Sequence, residues 1–282
     1  AQYYLSFVQN AEPHLLRSDQ LTWLERLETE HDNLRAALGW LTGHEKGEQA
    51  LQLTGALGQF WSMHSYLKEG RQWLEKTLAV AQKGPASAAD QSKVLFWAGF
   101  LAYRQTDLAA ARTHFEESLT LARQAGEKKM AANALNGLGN AAWTQGDLAA
   151  ARVSYQESLA LRREIGDKPG ISISLGNLGN VAWGQSDYPA ARSFYEESLL
   201  LDRAAGDRQG IAWTLTPLGA LCITLADFTR ARPLLEESLA LFRTMGDRSG
   251  CAEALDGLGL LARDQGLFVQ AEAYCQESLA MY

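Results

Sequence analysis

Residues 137–167 read GLGNAAWTQGDLAAARVSYQESLALRREIGD, and residues 177–207 read NLGNVAWGQSDYPAARSFYEESLLLDRAAGD. Working outward from this pair, Gly99, Gly139, Gly179, Gly219 and Gly259 recur at one spacing. Leu95, Leu135, Leu175, Leu215 and Leu255 precede them, and Ala111, Ala151, Ala191, Ala231 and Ala271 follow. Phe115, Tyr155, Tyr195, Leu235 and Cys275 come next, then Ser118, Ser158, Ser198, Ser238 and Ser278. Self-similarity at one fixed period is the mark of stacked units rather than of one or two ordinary globular domains.

Spacings of three and four residues put each set on one helical face, so every unit reads as two amphipathic helices joined through their apolar stripes. In the second unit these are about 130–144 and 148–164. The link Gln145-Gly146-Asp147 supplies a left-handed glycine and then an acidic N-cap. Asp107, Asp187 and Asp227 repeat the cap, and Leu267 loses it. Between units, Ala205-Gly206-Asp207-Arg208-Gln209-Gly210 stops one helix and starts the next, echoed at Gly126, Gly166 and Gly246. The glycine inside each first helix is unfavourable by about 1 kcal/mol against alanine. It is expected where the second helix approaches closely, with the small Ala151-type residue facing it. One hairpin cannot cover its own apolar face, so the units must stack.

Five such units occupy 92–282, the last incomplete. A divergent copy with Gly58, Gly70, Leu74, Thr77 and Leu78 gives a hairpin and connector over 48–91. Residues 1–47 read as an N-terminal helical pair covering the end of the solenoid, 1–16 and 21–41, the second starting at Ser18-Asp19.

Of 282 residues, 46% are hydrophobic and 21% charged, a helix-favouring mixture that argues against disorder. The net charge of -7 speaks against direct nucleic-acid binding by this segment. No apolar run is long enough for a membrane span, and Cys222, Cys251 and Cys275 read as thiols of a reducing cytoplasm rather than as a disulfide framework.

The ordered pattern Leu135, Leu138-Gly139, Ala151, Tyr155 resembles the tetratricopeptide repeat family over about 48–282, in a long-connector form of forty residues with serine at 118, 158, 198, 238 and 278 where alanine is commoner. The resemblance implies an all-α, right-handed superhelical solenoid of antiparallel hairpins. The words HDNLRAAL at 31–38 and EGRQWL at 69–74 are similar to the sensor region of bacterial STAND ATPase-type regulators, although no phosphate loop occurs in this chain.

The same family resemblance places the concave, peptide-binding positions on the first helix of each hairpin. These are Lys93, Phe96, Phe100, Tyr103 and Arg104, then Asn133, Asn136, Asn140 and Trp143. Asn180, Trp183, Trp213, Glu253 and Asp256 continue the series. Asparagine amides beside aromatic rings suit an extended peptide, since the amide both donates and accepts while the ring gives area at little entropy loss. A peptide reader should leave Asn136 and Asn140 unpaired. Packing between units is the other reading of Trp143 and Trp183. The Arg112–Glu116, Arg192–Glu196, Arg232–Glu236 and Arg71–Glu75 spacings read as pairs on a solvated face.

No metal-ligand spacing joins the five histidines, no nucleophile elbow occurs, and carboxylate pairs repeated along a solenoid do not flank one reactive centre. The recurring serine reads as a packing residue bonding back to a backbone carbonyl. The expectation is a non-catalytic protein- or peptide-binding module, without metal or cofactor, in a larger bacterial signalling or transcriptional regulator. A small-molecule-sensing arm and a scaffold that self-associates through the C-terminal edge near Cys275 are the alternatives.

Overall fold

The computed structural model describes residues 1–16 and 19–281. Those residues form helices joined by short turns: α1 (Gln2–Ala11), a 3-10 turn (Glu12–Leu16), α2 (Gln20–Thr29), α3 (His31–Gly43), α4 (Gly47–Met63), α5 (Leu67–Ala81), α6 (Ala88–Arg104), α7 (Leu108–Ala125) and α8 (Lys128–Thr144). They continue with α9 (Leu148–Ile165), α10 (Lys168–Gly184), α11 (Tyr188–Ala205), α12 (Arg208–Thr224), α13 (Phe228–Met245), α14 (Arg248–Asp264) and α15 (Phe268–Leu279). The architecture is an all-α solenoid of helix hairpins. It divides into two units, Ala1–Leu161 and Arg162–Tyr282.

In the first unit α4 packs on α5 and α6 on α7, while the first helices α4, α6 and α8 lie side by side. In the second unit α10 packs on α11, α12 on α13 and α14 on α15, and each second helix also meets the first helix of the next hairpin. That double contact is what the two apolar stripes per unit require.

Asp107, Asp147, Asp187 and Asp227 each accept the backbone N–H three residues on, at 3.2, 2.9, 3.2 and 3.3 Å, while Leu267 makes no cap bond. The tight turn before each of these caps is left-handed whatever residue stands there. Gly146 has φ 80°, but Thr106, Ser186 and Ala226 hold φ 61°, 62° and 57°.

The glycine column does admit the second helix, but an aromatic or branched side chain fills the space rather than the alanine. A Cβ on Gly139 would stand 2.4 Å from the Tyr155 ring, one on Gly179 2.4 Å from the Tyr195 ring, and one on Gly219 2.7 Å from Leu235. The alanines matter through their backbone, which comes close at Gly99, where the Ala111 carbonyl oxygen would lie 3.1 Å away. The recurring serines are buried, and their hydroxyls donate to the first helix of the same hairpin rather than to their own. Ser118 reaches the carbonyl of Ser92 at 2.8 Å, Ser158 that of Ala132 at 2.8 Å and Ser238 that of Ala212 at 2.9 Å. Serine in place of alanine therefore fixes the pairing of the two helices.

At the N-terminus the stretch 21–41 is two helices, not one. Glu30 leaves helical geometry at φ -93° and ψ 5°, and its carboxylate accepts from Asn33 at 2.7 Å and Tyr4 at 3.2 Å. The break lets both Trp23-Leu24-Leu27 and Leu34-Leu38-Leu41 reach the core that contains Phe60 and Trp61 of α4. Of the proposed start, Ser18 lies outside the described residues; Asp19 makes no cap bond and instead binds His14 at 2.6 Å and Trp23 at 3.2 Å.

Exposed charges follow a rule that spacing within one helix does not reveal. Arg112–Glu116 forms at 2.8 Å, but Arg71–Glu75 and Arg232–Glu236 are long, at 3.9 and 3.6 Å. The regular pairs instead join successive second helices: Arg123 with Glu157 in the first unit, and Arg163–Glu197 at 2.8 Å, Arg203–Glu237 at 2.9 Å and Arg243 with Glu277 in the second.

Candidate functional site

The second unit contains a cavity of about 360 Å³ bounded by α10, α11 and α12. Ile173, Asn177 and Asn180 come from one first helix and Trp213 and Pro217 from the next. The floor is polar: Ser172, Ser198, Thr214 and Asp202 meet there. Ser198 and Ser172 hydroxyls lie 2.8 Å apart, Ser198 and Thr214 3.3 Å, and Thr214 donates to Asp202 Oδ2 at 3.3 Å. Asp202 is 3% exposed. Burial raises its carboxyl pKa above the ordinary value, the charge of Asp207 adds to the rise, and the Ser172 and Thr214 hydroxyls oppose it.

Two walls of this cavity have fixed geometry. Tyr195 lies over Gly179 and its hydroxyl donates to Asn180 Oδ1 at 2.6 Å. The carbonyl side of the Asn180 amide is thus committed inside the unit. Trp213 is 38% exposed, with its ring edge-on to Phe242 at 5.0 Å. Pro217 has no N–H for the carbonyl of Trp213 one turn earlier, so that acceptor lacks its helical partner.

The other first-helix positions are more varied. In the first unit Lys93 is bound by Glu12 at 2.6 Å, so its charge is neutralised within the unit. Phe96 and Phe100 are half-buried, their rings 6.2 Å apart and packed around Phe115 and Trp97. Tyr103 meets Thr144 at 3.2 Å, and Arg104 is exposed and donates to Ser62 at 3.3 Å. Asn133 and Asn136 are half-buried on α8. Asn140 is not unpaired, because Tyr155 donates to its Oδ1 at 2.8 Å, the arrangement seen at Asn180. Trp143 is 38% exposed.

In the second unit Trp183 is half-buried against the cluster around Tyr195 and Leu199. Glu253 and Asp256 are exposed on α14, and the Glu253 carboxyl is raised by loss of surrounding water and by the charges of Asp247 and Asp256. Of the residues named from the sequence, the cavity therefore brings together Asn180 and Trp213, and Ile173 lines it with them. Asp202, Ser172 and Thr214 were missed. The available signal was the column Ala122, Arg162, Asp202, Phe242, where chemistry changes in an otherwise constant frame.

A larger cavity, about 650 Å³, lies in the first unit along α5 and α7, and Glu75, His114, Glu116 and Glu117 line it. Gln91 and Leu95 of the first helix α6 also line it, but none of the asparagines or tryptophans named from the sequence does. Among the described residues no group of three or more His, Cys, Asp or Glu side chains is placed to hold a metal ion, and no helix is long and apolar enough to cross a membrane.

Comparison with known proteins places this geometry. HTH-type transcriptional regulators of Mycobacterium bovis and Mycobacterium tuberculosis, so classed by their names, are 30% identical over 131 residues, 43% of this chain. That match spans only 14% of each regulator's length. Among solved structures, the apo form of RapI superposes with a TM-score of 0.72 over 99% of this chain and 97% of its own, at 11% identity. The Rap conjugation gene regulator of plasmid pLS20, in complex with the Phr* peptide, gives 0.64 over 99% and 94%, also at 11% identity. The tetratricopeptide repeat model matches in overlapping blocks, 90–164, 130–204, 170–244 and 210–282. Those blocks fall on the hairpins α6 to α15 and cover more than half of the sequence, and the chain belongs to the tetratricopeptide repeat family.

Proposed function

We propose that this chain is a non-catalytic peptide-binding module, the partner-docking or sensor segment of a longer bacterial regulator that works in the cytoplasm. The observation that carries the reading is the convergence of Ile173, Asn180 and Trp213, from the first helices of two consecutive hairpins, on one opening. An amide whose oxygen is held by a tyrosine, next to an exposed indole and an isoleucine that is 55% exposed, suits a peptide backbone carrying apolar side chains. The mycobacterial regulators and the peptide-bound plasmid regulator support the setting by analogy.

The test is fluorescence anisotropy of a labelled pool of short random-sequence peptides. The intact chain binds members of the pool, and Ile173→Ser together with Trp213→Ala weakens binding by about tenfold, or 1.4 kcal/mol, in a protein that still melts cooperatively. No binding, or binding indifferent to both substitutions, refutes the proposal. The cavity volume of about 360 Å³ favours one other reading, a small-molecule-sensing arm, because it falls within the size range of small-ligand sites. That reading requires a free small ligand to bind where peptides do not.

A further inference from the structure

We infer that the cavity of the second unit is an arginine-reading subsite, which takes the guanidinium of an arginine in an extended peptide, pairs it with Asp202 and lays it against Trp213. This rests on the peptide-binding reading above and specifies it.

The argument begins with a comparison between two positions of the repeat. Arg162 is 4% exposed, and its guanidinium packs over Gly170 next to the carboxylate of Asp167. One repeat later Asp202 stands where Arg162 stood, over Gly210, and Asp207 stands where Asp167 stood. A buried cation beside a carboxylate is thus replaced by two carboxylates with no cation. At the next repeat Phe242 fills the same position over Gly250, and Asp247, where Asp207 stood, is left as the single carboxylate. At Asp202 the side chain is shorter than at either neighbour, and the cavity lies against it.

A buried carboxylate held only by hydroxyls is under-compensated, since desolvation penalises its charge and hydroxyl bonds return part of that. The ionic neighbour acting on Asp202 is Asp207, of the same sign. A guest cation repairs both deficits. Arginine fits better than lysine: its planar fork can address both carboxylate oxygens, and its flat face can stack on the indole of Trp213, which Phe242 braces from the edge. Its length matters too, because Asp202 lies at the floor and is nearly inaccessible from outside. Asn180, which lines the same cavity, then remains for the peptide backbone.

The experiment uses the intact chain and peptide pools in which one central position is fixed as arginine, lysine, citrulline or glutamate and the rest are random. The arginine pool is expected to bind about tenfold more tightly than the citrulline pool, which has the same shape without charge. In Asp202→Asn, which keeps the side-chain volume and its hydroxyl partners, that preference disappears while the melting temperature is held or raised. Equal binding of arginine and citrulline pools, or a preference that survives Asp202→Asn, overturns the subsite and leaves the module reading standing. If no pool binds, the module reading fails, and N-acetyl-arginine amide then decides the cavity alone. Shifts of the Trp213 indole N–H with this compound but not with N-acetyl-citrulline amide, abolished by Asp202→Asn, support the pocket; their absence refutes it.

Discussion

A mid-helix glycine gives up about 1 kcal/mol to alanine in helix propensity, yet the ring packed on Gly139 reverses the sign of the substitution. Tyr155 is 3% exposed and tied to Asn140 by its hydroxyl, so it cannot swing away from a new methyl group. Gly139→Ala is expected to destabilise the chain by about 1–3 kcal/mol, the range for overpacking a filled core. At Gly259 the same column meets the exposed Cys275 Sγ at 3.3 Å, with Ala271 O and Tyr274 Cβ at an ordinary 3.7 Å, so Gly259→Ala is expected to stabilise by up to about 1 kcal/mol once the thiol turns aside. Urea denaturation of the two variants checks this pair of opposite signs. The glycine column was plain in the sequence; its occupant was not, because spacing names the positions that face each other and leaves open which side chain crosses the gap. Asn140 and Asn180 illustrate the same limit. Their place on the first helix could be read, but the tyrosine fifteen residues on that claims the amide oxygen belongs to the other helix and becomes visible only when the hairpin closes.

At the scale of the helix, stops and starts were legible wherever one residue does one local job. The aspartate caps of α7, α9, α11 and α13 and the left-handed glycines after α7, α11 and α13 follow from side-chain reach and backbone sterics alone. The break at Glu30 was not legible, since the apolar period continues through it and tertiary packing against α4 decides it. The N-terminus of α15 is a usable exception. Leu267 has φ -90° and ψ 61°, close to the -83° and 73° of Asp107, and lacks only the carboxylate. Leu267→Asp is expected to stabilise the last hairpin by about 1 kcal/mol, the usual worth of an N-cap, seen as slower amide exchange in the first turn of α15.

For the molecule as a whole, one hairpin serves two units that end differently. In the first, α1, α2 and α3 bury their apolar sets in one core with α4; in the second, α15 leaves Phe268, Val269 and Leu279 exposed. Surface charge was legible in part: Arg112–Glu116, Arg71–Glu75 and Arg232–Glu236 do pair four residues on, whereas the Arg203–Glu237 type of pair is set by stacking, which brings in a partner from the next second helix. The functional reading follows from the division of labour between the two helices. Second helices carry the serine bonds and ion pairs that hold the stack, and first helices are freed to present amides, indoles and, in the second unit, the mouth above Asp202. Photo-crosslinking of random peptides bearing a benzophenone side chain, with the adducts on the intact chain mapped by mass spectrometry, tests that division directly. Adducts concentrated on the first helices α10 and α12, at Ile173 and Trp213 above all, are the predicted result; adducts confined to the outer faces of α11 and α13, or to exposed α15, would contradict it.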